Sequence, residues 1–195
     1  MFTKIGSGLN LSFDDSAAKS IPTILHVYNT PQPTRPDPFW MEFEKPKDPT
    51  ISDQNYGHGT IAFTKWTVHL YPDLVNSVYD YFMSINPTFP WDKNRIQLLR
   101  TSGYILPHRD EPARRRTTIN IGLQNSNCAE TKFSNKNSLT DVTDTTNFIM
   151  EDGDAYLLDV FSVHSVHPIK PCNYRYLISY SMLRSYDVIK PFLVA

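Results

Sequence analysis

Residues 95–110 read RIQLLRTSGYILPHRD, two short strand-like runs that lead to a histidine and an aspartate. His108 and Asp110 are two positions apart, so in an extended strand they project from the same face, because side chains alternate across the pleat. A second histidine, His164, ends another strand-like run, YLLDVFSVH at 156–164. If the two runs are neighbours in a sheet, two imidazoles and one carboxylate can hold one face of a metal ion. Such a triad leaves the opposite positions open and suits non-haem Fe(II).

From Arg95 onward the chain consists of short apolar runs separated by polar turns, a spacing that is typical of a sandwich or barrel. The clearest helix is Pro72 to Ile85, which has proline in its first turn and apolar side chains at helical spacing. A strand is predicted before it, around Thr60 to Leu70. These patterns predict an all-β core with a supporting helix. The predicted core strands are 95–101, 104–109, 116–124, 130–134, 146–150, 154–161, 163–168 and 173–184.

With these residues in this order, the chain resembles the Fe(II)- and 2-oxoglutarate-dependent oxygenases. The resemblance extends from Ile96 to Met182 and consists of an H-x-D, a Gly-Asp turn at 153–154 before a hydrophobic run, a distal histidine and a later arginine. It implies a mainly β fold, a double-stranded β-helix (jelly roll, cupin-like) with one or more supporting helices. It also implies a single oxygenase domain over 1–195. That domain divides into N-terminal strands, loop and helix (1–94), the β-helix core (95–184) and a C-terminal tail (185–195).

The resemblance also implies the parts of a catalytic site. His108, Asp110 and His164 would bind Fe(II), and Arg175 would pair with the far carboxylate of 2-oxoglutarate through its planar fork. O2 would be the oxidant, and the products would be succinate and a hydroxylated substrate. Four further side chains are candidate contacts to the co-substrate, and Thr117 and Asn120 have opposite parity, so a regular strand turns only one of them inward. The four are Tyr104, Thr117, Asn120 and Ser179.

Two alternatives bear on the metal ligands. His167 lies three positions after His164, so the two point to opposite faces of a strand and only one can face the interior. We prefer His164, because the phrase HSVHP at 164–168 is similar to the distal-histidine strand of many hydroxylases, and we keep His167 as the alternative. The second alternative is that His108 and Asp110 belong to a solvated surface turn, since Asp110 precedes Glu111-Pro112.

The implied substrate is an amino acid, a peptidyl residue or a small metabolite. Aspartyl hydroxylases of this family usually lack the carboxylate ligand, so Asp110 favours a prolyl-type enzyme or one that acts on a small molecule. A net charge of −1 and a pI near 6.6 give no electrostatic signal for a nucleic-acid partner. The competing hypothesis is a non-catalytic, cupin-like protein that binds a metal or a small ligand. The oligomeric state is not predicted.

The composition of 40% hydrophobic and 20% charged residues over 195 residues is that of a globular domain. No apolar stretch is long enough to span a bilayer, and residues 1–8 lack the apolar core of a signal peptide. Two cysteines, Cys128 and Cys172, do not suggest a disulfide framework. We therefore expect a cytoplasmic protein without a membrane partner.

Two surface features have both a structural and a functional interpretation. The run Arg114-Arg115-Arg116 is either a solvated loop, which we favour slightly, or a source of one arginine that binds a substrate carboxylate. The proline-dense stretch from Pro31 to Pro49 cannot form a helix or a central strand. It is either a surface wrap or a lid over the mouth of the barrel. His26, His58 and His69 have no partner at ligand spacing and are expected to be structural.

Overall fold

The computed structural model describes residues 1–20, 60–64, 67–102, 104–110, 115–137, 139 and 143–194. Some sequence predictions lie outside the described residues. They are a further strand that the apolar run PTILHVY at 22–28 predicts, the lid predicted over the proline-dense stretch 31–49, and the residues His26, His58 and Arg114.

The described residues form two antiparallel sheets. The larger has the order β1-β8-β5-β10-β3-β2, and the smaller has the order β4-β9-β6-β7. From β3 to β10, successive strands alternate between the two sheets, except for the β6–β7 hairpin within the smaller sheet. The prediction of a mainly β fold is confirmed. The strands are β1 (Phe2–Gly6), β2 (Thr60–Thr64), β3 (Ile96–Ser102), β4 (Ile105–His108), β5 (Thr117–Gln124), β6 (Ala129–Ser134), β7 (Thr145–Ile149), β8 (Ala155–Asp159), β9 (His164–Pro168) and β10 (Arg175–Met182).

Three α-helices accompany the sheets in the described part of the chain: α1 (Thr67–Leu70), α2 (Pro72–Ile85) and α3 (Tyr186–Leu193). Helix α2 has the predicted bounds, and its buried face packs against the larger sheet. The strand predicted over 60–70 is wrong over Thr67–Leu70, because these residues form α1. The stretch 185–195, predicted as a tail, instead contains α3, which buries three large side chains in the core. These are Tyr186, Ile189 and Leu193.

The two faces of the larger sheet have different surroundings, and β10 illustrates the division. Tyr176, Ile178 and Tyr180 belong to the hydrophobic core that contains α2 and α3. Arg175, Leu177 and Ser179 point the other way and line a cavity between the two sheets. Burying a large apolar side chain stabilises a fold by about 1.5–3 kcal/mol. The helix face therefore supplies much of the stability, while the opposite face carries polar groups.

The Gly-Asp turn that precedes β8 attaches the N-terminal segment to the larger sheet. Gly153 has a φ of +82°, a left-handed conformation that glycine adopts without steric cost. Its carbonyl accepts a hydrogen bond from the backbone N–H of Leu9 at 3.0 Å. Asp154 is buried and forms a 2.7 Å ion pair with Lys4 of β1. The turn therefore fixes the start of β8 against β1.

Cys128 and Cys172 form a disulfide that the sequence analysis does not predict. The bond joins the start of β6 to the loop between β9 and β10, and the Ile169 N–H also donates to the Cys128 carbonyl at 2.9 Å. The two cysteines meet because β6 and β9 are neighbours in the smaller sheet, a long-range pairing that their spacing of 44 residues does not reveal. Among the described helices, none combines the length and the apolar character needed to cross a membrane.

Candidate metal centre

The pairing of β4 with β9 brings the two predicted histidine ligands together. His108 lies opposite His164 in the antiparallel register, and their ring centroids are 4.3 Å apart. Asp110 lies two residues after the end of β4, and its backbone N–H donates to the Val160 carbonyl at 2.9 Å. This hydrogen bond connects the segment after β4 to the chain just beyond β8, so both neighbouring elements position Asp110.

His108, Asp110 and His164 form a group whose ligand atoms all lie within 4.8 Å of one another. Nε2 of His108 and Oδ1 of Asp110 are 3.6 Å apart. Metal bonds of about 2.1 Å to nitrogen and oxygen place two ligand atoms about 3 to 4 Å apart, according to the angle at the metal. The donor set of two imidazoles and one carboxylate, at this spacing, therefore fits a divalent transition metal.

A hydrogen bond to the backbone fixes the tautomer of His164 in which Nε2 is free to bind a metal. Its Nδ1 lies 2.9 Å from the carbonyl oxygen of Ser162, so Nδ1–H donates to that oxygen and Nε2 keeps its lone pair. Burial lowers the pKa of His164 to about 3, and the nearby His108 contributes to the shift. His164 is therefore neutral at physiological pH. A face of the ring also stacks on Phe133, with 5.5 Å between ring centroids.

Asp110 is a buried carboxylate that is paired with an arginine. Nε of Arg115 lies 2.8 Å from Oδ2 of Asp110, and Nη2 lies 3.3 Å from Oδ1. Burial alone would raise the pKa of Asp110, but Arg115 and the two imidazoles outweigh it and lower the pKa to about 2. Asp110 is therefore ionised and can coordinate a cation. Arg115 corresponds to neither interpretation of the arginine run, because it contacts the carboxylate of the chain itself and also lines the cavity.

His167 and Tyr104 lie together, away from the three ligand candidates. Nε2 of His167 and Oγ of Ser165 form a 2.9 Å hydrogen bond, and the ring meets Tyr104 edge-on with centroids 4.6 Å apart. Neither residue is among the described residues that line the cavity. The parity argument for His164 agrees with this placement. Tyr104, which was predicted to contact the co-substrate, therefore packs against His167 and does not line the cavity.

Arg175 is a buried cation that faces the cavity. Its side chain is on β10, the residue is 4% exposed, and Nε has no hydrogen-bond partner among the described residues. Burial lowers the pKa of Arg175 to about 10, so the guanidinium remains charged at neutral pH. A buried donor of a charged group that lacks a hydrogen-bond partner is costly. The arrangement therefore suits an anionic ligand, for which a guanidinium fork offers two parallel hydrogen bonds.

Ser179 and Asn120 line the same cavity as Arg175. The two residues are opposite each other in the β10–β5 register, both line the cavity, and the buried Oδ1 of Asn120 has no partner among the described residues. Thr117, also predicted to contact the co-substrate, does not line the cavity. Its hydroxyl donates to the Arg184 carbonyl at 2.8 Å, because its parity is opposite to that of Asn120 and turns it away from the cavity.

The cavity has mostly apolar walls around these polar groups. Three threonines that were not predicted from the sequence also line the cavity: Thr101, Thr118 and Thr131. Thr118 shares the parity of Asn120, a signal that could have identified it once the register of β5 was known. Thr101 and Thr131 carry no such local signal. The apolar lining residues are Leu99, Ile105, Phe148, Met150, Leu158, Val160, Val166 and Leu177.

Comparison with known proteins adds no family to this description. No protein-family model matches the chain, and no curated protein matches it in sequence.

Proposed function

We propose that this protein is a non-haem Fe(II)- and 2-oxoglutarate-dependent dioxygenase. It hydroxylates a C–H bond of an amino acid, a prolyl-type peptidyl residue or a small metabolite. The observation that carries the proposal is that one cavity contains both the His108, Asp110 and His164 group and the buried guanidinium of Arg175. Fe(II) with 2-oxoglutarate supplies an O2-dependent oxidation, in which one oxygen atom enters the substrate and the other enters succinate as CO2 is lost.

Two of the three proposed metal ligands, His164 and Asp110, are in the protonation states that this role requires. His164 is neutral and Asp110 is ionised at physiological pH, so neither has to lose a proton when a metal binds. Three ligands on one side of an ion leave the remaining positions for a chelating co-substrate and O2. His108 and His164 belong to the same strand pair, so the ligand geometry depends on rigid elements.

Arg175 has the role of co-substrate anchor. A dicarboxylate that chelates the metal at one end leaves a free carboxylate at the other, and this anion would complete the hydrogen bonding of the buried guanidinium. Ser179 and Asn120 offer a hydroxyl and an amide in the same cavity. The apolar walls, which include Leu99 and Leu177, exclude water and strengthen these charged contacts.

The strand order supports a double-stranded β-helix. Strands β8-β5-β10-β3 are neighbours in the larger sheet and β4-β9-β6-β7 make up the smaller one, with successive strands alternating between them. Each turn of the chain thus adds one strand to each sheet, apart from the β6–β7 hairpin. The cavity lies between the two sheets, which is where jelly rolls of this kind enclose ligands.

Anaerobic addition of Fe(II) and then 2-oxoglutarate to the purified protein tests the proposal. A visible metal-to-ligand charge-transfer band should form, and admission of air should release succinate. Screening free amino acids and proline-containing peptides should reveal a substrate that accelerates this release. A protein that binds metal but forms no band and releases no succinate would instead be the non-catalytic, cupin-like binding protein.

The proposed compartment is the cytoplasm, because Fe(II) persists best in reducing surroundings. Disulfides persist mainly in oxidising compartments, so the bond between Cys128 and Cys172 argues against a cytoplasmic location. Titration of free thiols in protein isolated from its native source under alkylating conditions tests it. Two alkylated cysteines support the cytoplasm, and none would contradict it.

A further inference from the structure

We propose that Arg115 is a positioning residue that determines which oxygen of Asp110 faces the metal. The inference depends on the proposed metal centre and adds a residue to it. Arg115 is not a ligand itself, since a guanidinium carries no lone pair available to a metal. It acts through Asp110, whose second oxygen it binds.

The two oxygens of Asp110 contact Arg115 unequally. Oδ1 lies 3.6 Å from Nε2 of His108, on the side of the ligand group, and 3.3 Å from Nη2 of Arg115. Oδ2 lies 2.8 Å from Nε of Arg115, the shorter of the two contacts between these residues. With Oδ2 engaged by a charge-assisted hydrogen bond, the carboxylate presents Oδ1 to the metal. Coordination through one oxygen leaves the remaining metal positions open, whereas coordination through both would fill one of them.

The backbone fixes both partners of this contact. The Asp110 N–H donates to Val160 at 2.9 Å, and the N–H of Arg116, the residue after Arg115, donates to the Met182 carbonyl at the end of β10 at 2.9 Å. Hydrogen bonds therefore hold the backbone of Asp110 to the residue just beyond β8 and the backbone next to Arg115 to the end of β10. Burial of Asp110 strengthens the contact, because little solvent screens it.

Arg116 provides a matched control. It is the neighbouring residue with the same charge, its side chain is exposed, and its guanidinium lies 5.8 Å from the ring centroid of Phe161. It does not line the cavity. Replacing it changes the net charge of the protein as much as replacing Arg115 does. A difference between the two substitutions therefore reports the contact with Asp110 and not the loss of a positive charge.

The test is titration of the metal-free protein with Co(II), followed by the visible d–d absorption, whose position and intensity depend on coordination number. Wild type and the variants Arg115→Gln, Arg115→Lys and Arg116→Gln are compared, and a thermal unfolding curve of each metal-free protein verifies that it folds. Loss of an outer hydrogen-bond partner typically weakens metal binding about 10–100-fold. We expect this loss and an altered Co(II) spectrum in Arg115→Gln, a smaller loss in Arg115→Lys, and wild-type values in Arg116→Gln.

The intermediate loss of Co(II) affinity expected for Arg115→Lys distinguishes a positioning role from a role of the charge alone, because lysine retains the charge but lacks the planar fork. An Arg115→Lys protein with wild-type affinity and spectrum would overturn the positioning role, and so would an Arg115→Gln protein that binds Co(II) as wild type does. In both cases the metal centre itself stands. If wild-type protein binds no Co(II), the proposed metal centre and the role of Arg115 are both wrong.

Discussion

His108 and His164 face each other across the β4–β9 pair although 56 positions separate them in the chain, and their imidazole centroids are 4.3 Å apart. Neither strand alone can form the metal site. The correct register between β4 and β9 is needed, and the backbone bond from Asp110 to Val160 adds a constraint from the larger sheet. The candidate centre is therefore a product of the tertiary fold, and its disruption should be detectable without any knowledge of the substrate.

Alanine at His108, Asp110 or His164 should abolish stable metal binding, while His167→Ala should keep it. Each of the first three removes a donor atom from the group, whereas His167 contacts Ser165 and Tyr104 instead. The loss should exceed the roughly 10–100-fold cost of removing an outer partner. Metal content after dialysis, measured by elemental analysis, gives the result. Iron that is lost from His167→Ala but kept by His164→Ala would reverse the assignment.

Arg175→Ala should raise the 2-oxoglutarate requirement tens- to thousands-fold, and Fe(II) affinity should change little. Loss of a buried charged partner typically costs about 2–5 kcal/mol. The 2-oxoglutarate dependence of the anaerobic charge-transfer band measures the effect, with Arg184→Ala as the control because Arg184 is exposed. Equal 2-oxoglutarate affinity in Arg175→Ala and wild type would show that the anchor, or the co-substrate itself, is wrongly assigned.

The metal-free protein should lose stability as the pH falls below about 6.5. The folded-state pKa of His164 is about 3, below the usual 6.5, so the unfolded chain gains a proton that the folded one resists. Asp110, with a folded-state pKa of about 2, also lowers the stability as the pH falls below about 4, because the unfolded chain takes up a proton there before the folded one does. We expect the free energy of unfolding to fall by about 3 kcal/mol between pH 7 and pH 4 from His164.

Urea unfolding at several pH values measures this dependence. His164→Gln should flatten the curve between pH 6.5 and 4, whereas His69→Gln should not, because His69 is exposed on α1. A wild-type curve without slope in this range would mean that His164 titrates normally in the folded protein.

Reduction of the Cys128–Cys172 disulfide should destabilise the protein by about 4 kcal/mol, on the loop-entropy estimate for a closed loop of 44 residues. Unfolding in denaturant with and without dithiothreitol measures the loss. The Cys128→Ser, Cys172→Ser double variant is the control and should not respond to the reductant. Equal stability of oxidised and reduced wild type would show that the bond contributes nothing to the fold.

Much of the fold could be predicted from the sequence because local patterns determine it. Pro72 and the apolar spacing of α2 determine that helix, and the turns between β3 and β10 separate the strands. Strand β1 escaped prediction because it is short and depends on pairing with β8. Helix α3 escaped because Pro191 lies within it and because its stability comes from three side chains that the larger sheet buries.

For the site, parity within a strand narrowed the choice of residues, whereas contacts between strands could not be predicted. Alternation allowed only one of His164 and His167 to face the interior, and the resemblance selected His164, which lines the cavity. The side of β5 that faces the cavity depends on its pairing with β10, so Thr117 was named where Thr118 lines the cavity. The contact between Arg115 and Asp110 arises from a loop whose path no periodic pattern describes.

The alternation along β10 has a consequence for changes in chain length. Tyr176, Ile178 and Tyr180 face the helices while Arg175, Leu177 and Ser179 face the cavity. A one-residue insertion or deletion within this strand would exchange the two sets beyond it, because the side-chain period is two. Tyrosine rings would then enter the cavity and polar groups would enter the helix-packed core. A substitution at one position of β10 affects one face of the strand, whereas a change in its length would disrupt both the core and the candidate site.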